Sequence, residues 1–136
     1  MKKITGVVVL FAVALGAAHA SGKHEKNRAL IYAKEQTPEI CRAAVEQDGL
    51  LLKYVKEQTP EICLAAVQQN AASFIFVQNQ TEQLCIEAVT RMPKNIIYVK
   101  EQTPEICLAA VKQDGNMLMY VKEQTPEIVM AAVKQH

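Results

Sequence analysis

Apolar and polar positions alternate along this chain in two short patterns that take turns. At Leu51, Tyr54 and Val55 the apolar residues stand at i, i+3 and i+4, with Lys53, Lys56 and Glu57 on the other side. That spacing gathers them on one face of a helix. A polar break follows, Gln58-Thr59-Pro60-Glu61. Ile62, Cys63, Ala66 and Val67 then stand at i, i+1, i+4 and i+5, the apolar face of a second helix predicted from about Pro60 to Gln69. The break is itself a helix start. A threonine hydroxyl accepts from an orphan backbone N–H at the N-cap. Proline suits the first helical position, and a glutamate in the first turn complements the positive helix end. Proline also turns the residue before it away from helical dihedrals, so Thr59 has to break from the first helix.

The pattern returns every 22 residues, at Thr37, Thr59, Thr81, Thr103 and Thr125 (59−37, 81−59, 103−81, 125−103). It divides the chain into units 28–49, 50–71, 72–93, 94–115 and 116–136. Each unit is predicted as helix, Thr-Pro corner, helix, and a closing corner. Asp48-Gly49 and Asp114-Gly115 are expected to take a left-handed dihedral there. Helices this short are not stable alone in water, and one hairpin cannot bury its own apolar face. Stacking successive hairpins makes a continuous core. The fold class expected is therefore all-α, an α-solenoid of five tandem two-helix repeats. A rival makes Leu50 to Val55 a strand, in a leucine-rich-repeat-like horseshoe. The asparagine and the L-x-x-L-x-L spacing of that architecture are missing.

Comparison of the units shows what stacking demands. Gln36/58/80/102/124, the five threonines, Ala44/66/88/110/132 and Val45/67/89/111/133 never change. Alanine pairs such as Ala43-Ala44 and Ala65-Ala66 are expected to let second helices approach closely. An aromatic recurs at Tyr32, Tyr54, Phe76, Tyr98 and Tyr120. The third unit departs most: Glu82 replaces the corner proline, Glu87 the first alanine, and Met92-Pro93 the Asp-Gly pair. Glu82 can still follow an N-cap Thr81, so that corner is expected to survive. The departures read as drift, or as a bend or partner site in mid-array.

The unit Leu-x-Tyr-Val-Lys-Glu-Gln-Thr-Pro-Glu-Ile-Cys-Leu-Ala-Ala-Val-Lys-Gln-Asp-Gly resembles a short tandem helical-repeat family of bacteria and large DNA viruses, a domain of unknown function. The likeness runs over residues 28 to 136. It implies tandem helical hairpins and brings no catalytic residues with it.

The N-terminus carries a different signal. Met1-Lys2-Lys3 precedes an apolar run from Ile4 to Ala18, and Ala18-His19-Ala20 puts small residues before the polar Ser21. This is the pattern of a secretory signal peptide, residues 1–20, too short in its apolar run for a comfortable membrane span. Cleavage after Ala20 is expected, leaving a polar tail, 21–27, and a periplasmic or secreted protein. An uncleaved anchor is the competitor. No cysteine stands at the cleavage point, which argues against a lipoprotein. The chain's 15 Lys and Arg against 14 Asp and Glu fall to 13 against 14, net −1, once Lys2 and Lys3 are removed. A sequence-independent nucleic-acid binder needs a large basic excess, so no nucleic-acid partner is expected, nor a membrane after signal cleavage.

Candidate chemistry is sparse. Cys41, Cys63, Cys85 and Cys107 occupy one position of the unit, and Val129 takes it in the fifth. A valine substitute argues for a small buried apolar role. Equivalent residues on packed helices sit about 8–10 Å apart, whereas a disulfide needs Cα atoms within roughly 7 Å. Free buried thiols are expected, ahead of some disulfide and ahead of metal or redox chemistry. His19, His24 and His136 are scattered at the chain's extremities, so no Ser/His or Cys/His constellation forms. No catalytic residue, cofactor or metal is expected. The charged corners offer a candidate partner-binding surface at Lys56, Glu57, Gln58, Glu61, Lys100, Glu101, Gln102 and Glu105; a solvated face matching helix-end charge is the plainer reading. The glutamine row could instead bond backbone groups between units. Val129 and Met130 are expected at an open apolar end, giving end-to-end homo-oligomers or partner docking. The function expected is an exported non-catalytic protein-binding or scaffolding module. The alternatives are a thiol-redox protein and a purely structural self-associating array.

Overall fold

The computed structural model describes residues 36–135. The expected signal peptide, the polar tail, the first half of the first unit with Tyr32, and His136 lie outside these residues. Five α-helices alternate with four 3-10 helices: α1 Pro38–Gln47, η1 Gly49–Tyr54, α2 Pro60–Gln69, η2 Ala71–Phe76, α3 Glu82–Arg91, η3 Pro93–Tyr98, α4 Pro104–Gln113, η4 Gly115–Tyr120 and α5 Pro126–Val133. No strand occurs among the described residues, which rules out the horseshoe with Leu50 to Val55 as a strand.

The second helix of each unit forms where the sequence put it. Thr37, Thr59, Thr81, Thr103 and Thr125 are extended N-caps, and each hydroxyl oxygen accepts from the N–H three residues on. The corner at Glu82 survives, since Thr81 Oγ1 still accepts from Leu84 N at 3.2 Å. The buried face of α2 is Ile62, Cys63, Ala66 and Val67, as the periodicity required, and α1, α3 and α4 bury the equivalent residues. Each large apolar side chain so buried contributes about 1.5–3 kcal/mol.

The first helix of the second to fifth units differs from expectation. It is a six-residue 3-10 helix, not an α-helix. Spacings of 3 and 3.6 are hard to tell apart over two turns, and 3-10 geometry is confined to such short pieces. Leu51 and Leu52 are buried on η1, Val55 is buried just beyond it, and Tyr54 is half-buried.

The Asp-Gly corner also needs correcting. Asp48 and Asp114 are extended, φ −149° and −148°, and act as N-caps of the 3-10 helices. Asp48 Oδ1 accepts from Leu50 N at 3.1 Å, and Asn70 and Asp114 do the same in their units. Glycine is there for space rather than for a left-handed dihedral. A Cβ on Gly49 would overlap the Ala66 carbonyl oxygen, and one on Gly115 the Ala132 carbonyl oxygen.

Among the described residues every element packs only on its neighbours along the chain. Each α-helix lies against the next, each 3-10 helix against the next, and the two kinds interleave. One continuous core results, running from Ile40 to Ala132. Two polar side chains enter it, both at the position held by Leu51 and Met117 in other units: Ser73 and Asn95. Asn95 Nδ2 donates to the carbonyls of Ala71 and Ala88, at 2.9 and 3.1 Å. The Ser73 hydroxyl has no hydrogen-bond partner.

Candidate functional site

The five Gln-Thr corners lie between elements that stack in register, so their side chains are repeated along one edge. The glutamine at each of the first four corners reaches into the next unit. Gln36 Nε2 donates to the Tyr54 carbonyl and its Oε1 accepts from Lys56 N, both at 2.9 Å. Gln58 holds Phe76 O and Gln78 N, both at 2.9 Å. Gln80 holds Tyr98 O and Lys100 N at 2.8 and 2.9 Å. Gln102 holds Tyr120 O and Lys122 N at 2.9 and 3.0 Å. The segment leaving each 3-10 helix cannot complete a helical or sheet ladder, and the amide satisfies it. Gln58 and Gln102, named in the sequence as partner-binding candidates, thus spend their amides on bonds between units. Lys56, Glu57, Glu61, Lys100, Glu101 and Glu105 are exposed.

Behind each glutamine lies a thiol. Cys41, Cys63, Cys85 and Cys107 are free and buried, and each Sγ donates to its corner glutamine's Oε1 across 3.4–3.9 Å. Burial raises the pKa of all four. Cys63 is pushed up from 9.0 to about 11 by burial alone. Cys85 also reaches about 11, by burial first and then by the charge of Glu82. Glu123 adds to burial at Cys107. These are poor nucleophiles at neutral pH, where the thiolate carries the reactivity.

Between the last three corners the surface is cleft. One groove of about 350 Å³ lies between the third and fourth corners, with Gln80, Glu82 and Cys85 on one side and Lys100, Glu101 and Ile106 on the other. A second, of about 160 Å³, repeats it one unit on, with Gln102, Pro104 and Cys107 facing Lys122, Glu123 and Ile128. The two sets differ by 22 at every named position. Glu82, Lys100 and Glu101 line the first groove and Lys100, Lys122 and Glu123 the second, each together with a buried cysteine and isoleucine. Glu105 does not line either groove.

One of the third unit's departures is a tie. Glu82 Oε1 accepts from Thr103 Oγ1 at 2.6 Å, bridging to the next corner. Met92 offers no side-chain cap to η3, and Asn95 serves the carbonyls around that boundary instead. Sequence reasoning missed both. The available signal was a polar residue at Glu82 where other units carry proline, and at Asn95 where Leu51 and Met117 stand in other units.

Among the described residues no group of three or more His, Cys, Asp or Glu converges as a metal site would require. No described helix is long and apolar enough to cross a membrane. Neither a family model, nor a curated protein, nor a solved structure matches this chain.

Proposed function

We propose that this chain is an exported, non-catalytic α-solenoid of five units over residues 28–136, and that it binds an extended segment of another protein along its corner edge. The single observation that carries the reading is the groove that recurs, one unit apart, between consecutive corners. An extended ligand can follow such a row, as partners of repeat arrays do. The rim lysines, Lys100 and Lys122, and the glutamates beside them fix charge register. Lys56 and Glu57 would continue the row at the second corner. The export address, cleavage after Ala20, and the likeness to a bacterial and viral repeat family belong to the same reading. Thiol-disulfide chemistry is the weaker alternative, because four buried thiols with raised pKa values hold little thiolate.

A random-peptide display library panned against the purified chain tests it. Enriched peptides are expected to bind the Lys100→Glu/Lys122→Glu variant about three- to tenfold more weakly, at unchanged helicity. No enrichment, or equal affinity for the variant, overturns the reading.

A further inference from the structure

The 3-10 helices η1 to η4 stack one on the next and make a continuous face. Leu51 and Leu52, Ser73 and Phe74, and Asn95 and Ile96 point from it into the core. The fifth residue of each helix is exposed: Lys53, then Ile75, Ile97 and Met119. Ile75 is 50% exposed and Ile97 51%. Both stand in mid-array, on helices packed against a 3-10 helix on either side, so their exposure does not come from an end of the stack. Tyr98 and Tyr120 are exposed beside them. Lys53 shows that stacking does not demand an apolar side chain at this position, yet three consecutive units carry one. The charge on the face has one sign. η1 to η4 contain Lys53 and Lys94, both exposed, and no acidic residue. Residues three apart on a 3-10 helix eclipse, which sets Lys94 on the same side as Ile97. Neighbouring acids are engaged elsewhere. Asp48 and Asp114 accept from Leu50 N and Asn116 N as caps, and Glu101 and Glu123 line the corner grooves.

We propose that this face docks reversibly on an anionic lipid surface, with Ile75, Ile97 and Met119 entering the boundary between headgroups and acyl chains. A contiguous exposed apolar row marks an interaction surface. Base without acid beside it fits an anionic occupant, and a bilayer surface offers negative charge and hydrocarbon together. Tyr98 and Tyr120 suit the same boundary, with an apolar ring and a polar hydroxyl. Lys53 and Lys94 meet the headgroup charge. The near-even balance of acid and base over the whole chain hides this face, so the sequence gave no reason to expect a membrane partner. No residue of the 3-10 helices lines either corner groove. The proposal therefore stands or falls apart from the peptide-binding reading.

Cosedimentation of the purified chain with vesicles tests it. Binding to mixed phosphatidylglycerol/phosphatidylcholine vesicles is expected to be at least about tenfold tighter than to pure phosphatidylcholine, and to weaken as salt is added. Ile75→Glu/Ile97→Glu alters side chains already in solvent. It is expected to keep full helicity and to lose at least about tenfold in binding. Lys53→Gln/Lys94→Gln is expected to lose about tenfold on the anionic vesicles alone. Met130→Glu, exposed on α5, is expected to bind like the parent. The chain has no tryptophan, so Tyr98→Trp reports on this face by itself, and its emission is expected to move to shorter wavelength with anionic vesicles. Equal binding by the Ile75→Glu/Ile97→Glu variant would place the contact elsewhere, as in the apolar run from Ile4 to Ala18, and would overturn the proposal. No binding, no preference for anionic lipid, or an unshifted Tyr98→Trp emission would overturn it too. So would a lipid-free dimer that Ile75→Glu/Ile97→Glu abolishes, which would give the face to a second copy.

Discussion

A side-chain amide both donates and accepts, which a carboxylate cannot do. That is the physical reason for Gln36, Gln58, Gln80 and Gln102, each of which gives an N–H to one backbone carbonyl and takes one from a backbone nitrogen two residues on. The thiols behind them are small apolar fillers whose protonation is linked to folding. Cys63 and Cys85 titrate near 11 in the folded chain against 9.0 ordinarily. Between those values the unfolded chain has released protons that the folded chain keeps, so stability falls as pH rises through that window and is fully present below it. Urea midpoints measured from pH 8 upward are expected to drop toward pH 11 in the parent. In Cys63→Val/Cys85→Val the drop is expected to be shallower. Val129 already occupies this position in the fifth unit. Superimposable profiles would show that the thiols do not carry the effect.

At the scale of the element, each α-helix is legible in the sequence because its start signal and its burial pattern agree. The threonine cap, the proline or glutamate after it, and the apolar residues two and three positions beyond all point to one boundary. The 3-10 helices were legible only as apolar helical segments. Their hydrogen-bond type depends on capping at both ends, Asp48 before η1 and the extended Val55 after it, and six residues carry too little periodicity to report that. The glycines were misread for a related reason. Sequence suggests a dihedral role for Asp-Gly, but the close neighbour of Gly49 is the Ala66 carbonyl, which belongs to the next helix. Ala71 and Pro93 stand at the equivalent position in the following units, so the tight approach is local to Gly49 and Gly115. Gly49→Ala is expected to cost about 1–3 kcal/mol, read as a lowered melting temperature, because backbone rather than a flexible side chain has to move.

At the scale of the molecule, contacts among the described residues run only between neighbouring elements along the chain. Stability is then close to a sum of unit and interface terms, and cooperativity depends on the interfaces. The glutamine clamps are the directional part of those interfaces. Gln58→Ala strands the Phe76 carbonyl and the Gln78 N–H and is expected to cost about 1–3 kcal/mol. It is also expected to broaden the denaturant transition as the units on either side uncouple. Unchanged stability would mean that the clamp contributes nothing and that the glutamine row serves recognition instead. The candidate site shows the same division. Lys100, Glu101 and their equivalents were readable as a charged row, whereas the grooves they rim form only once two corners lie side by side.

The sequence by itself determined where the α-helices begin, which residues they bury, and that similar units follow one another every 22 residues, because these depend on neighbours within a few positions along the chain. Tertiary structure alone decided what the invariant glutamines hold, why glycine stands at Gly49 and Gly115, and how Glu82 and Asn95 tie the middle of the array. Each of those answers involves a partner about one unit away, reached through the stacking geometry, and periodicity carries no record of distances between units.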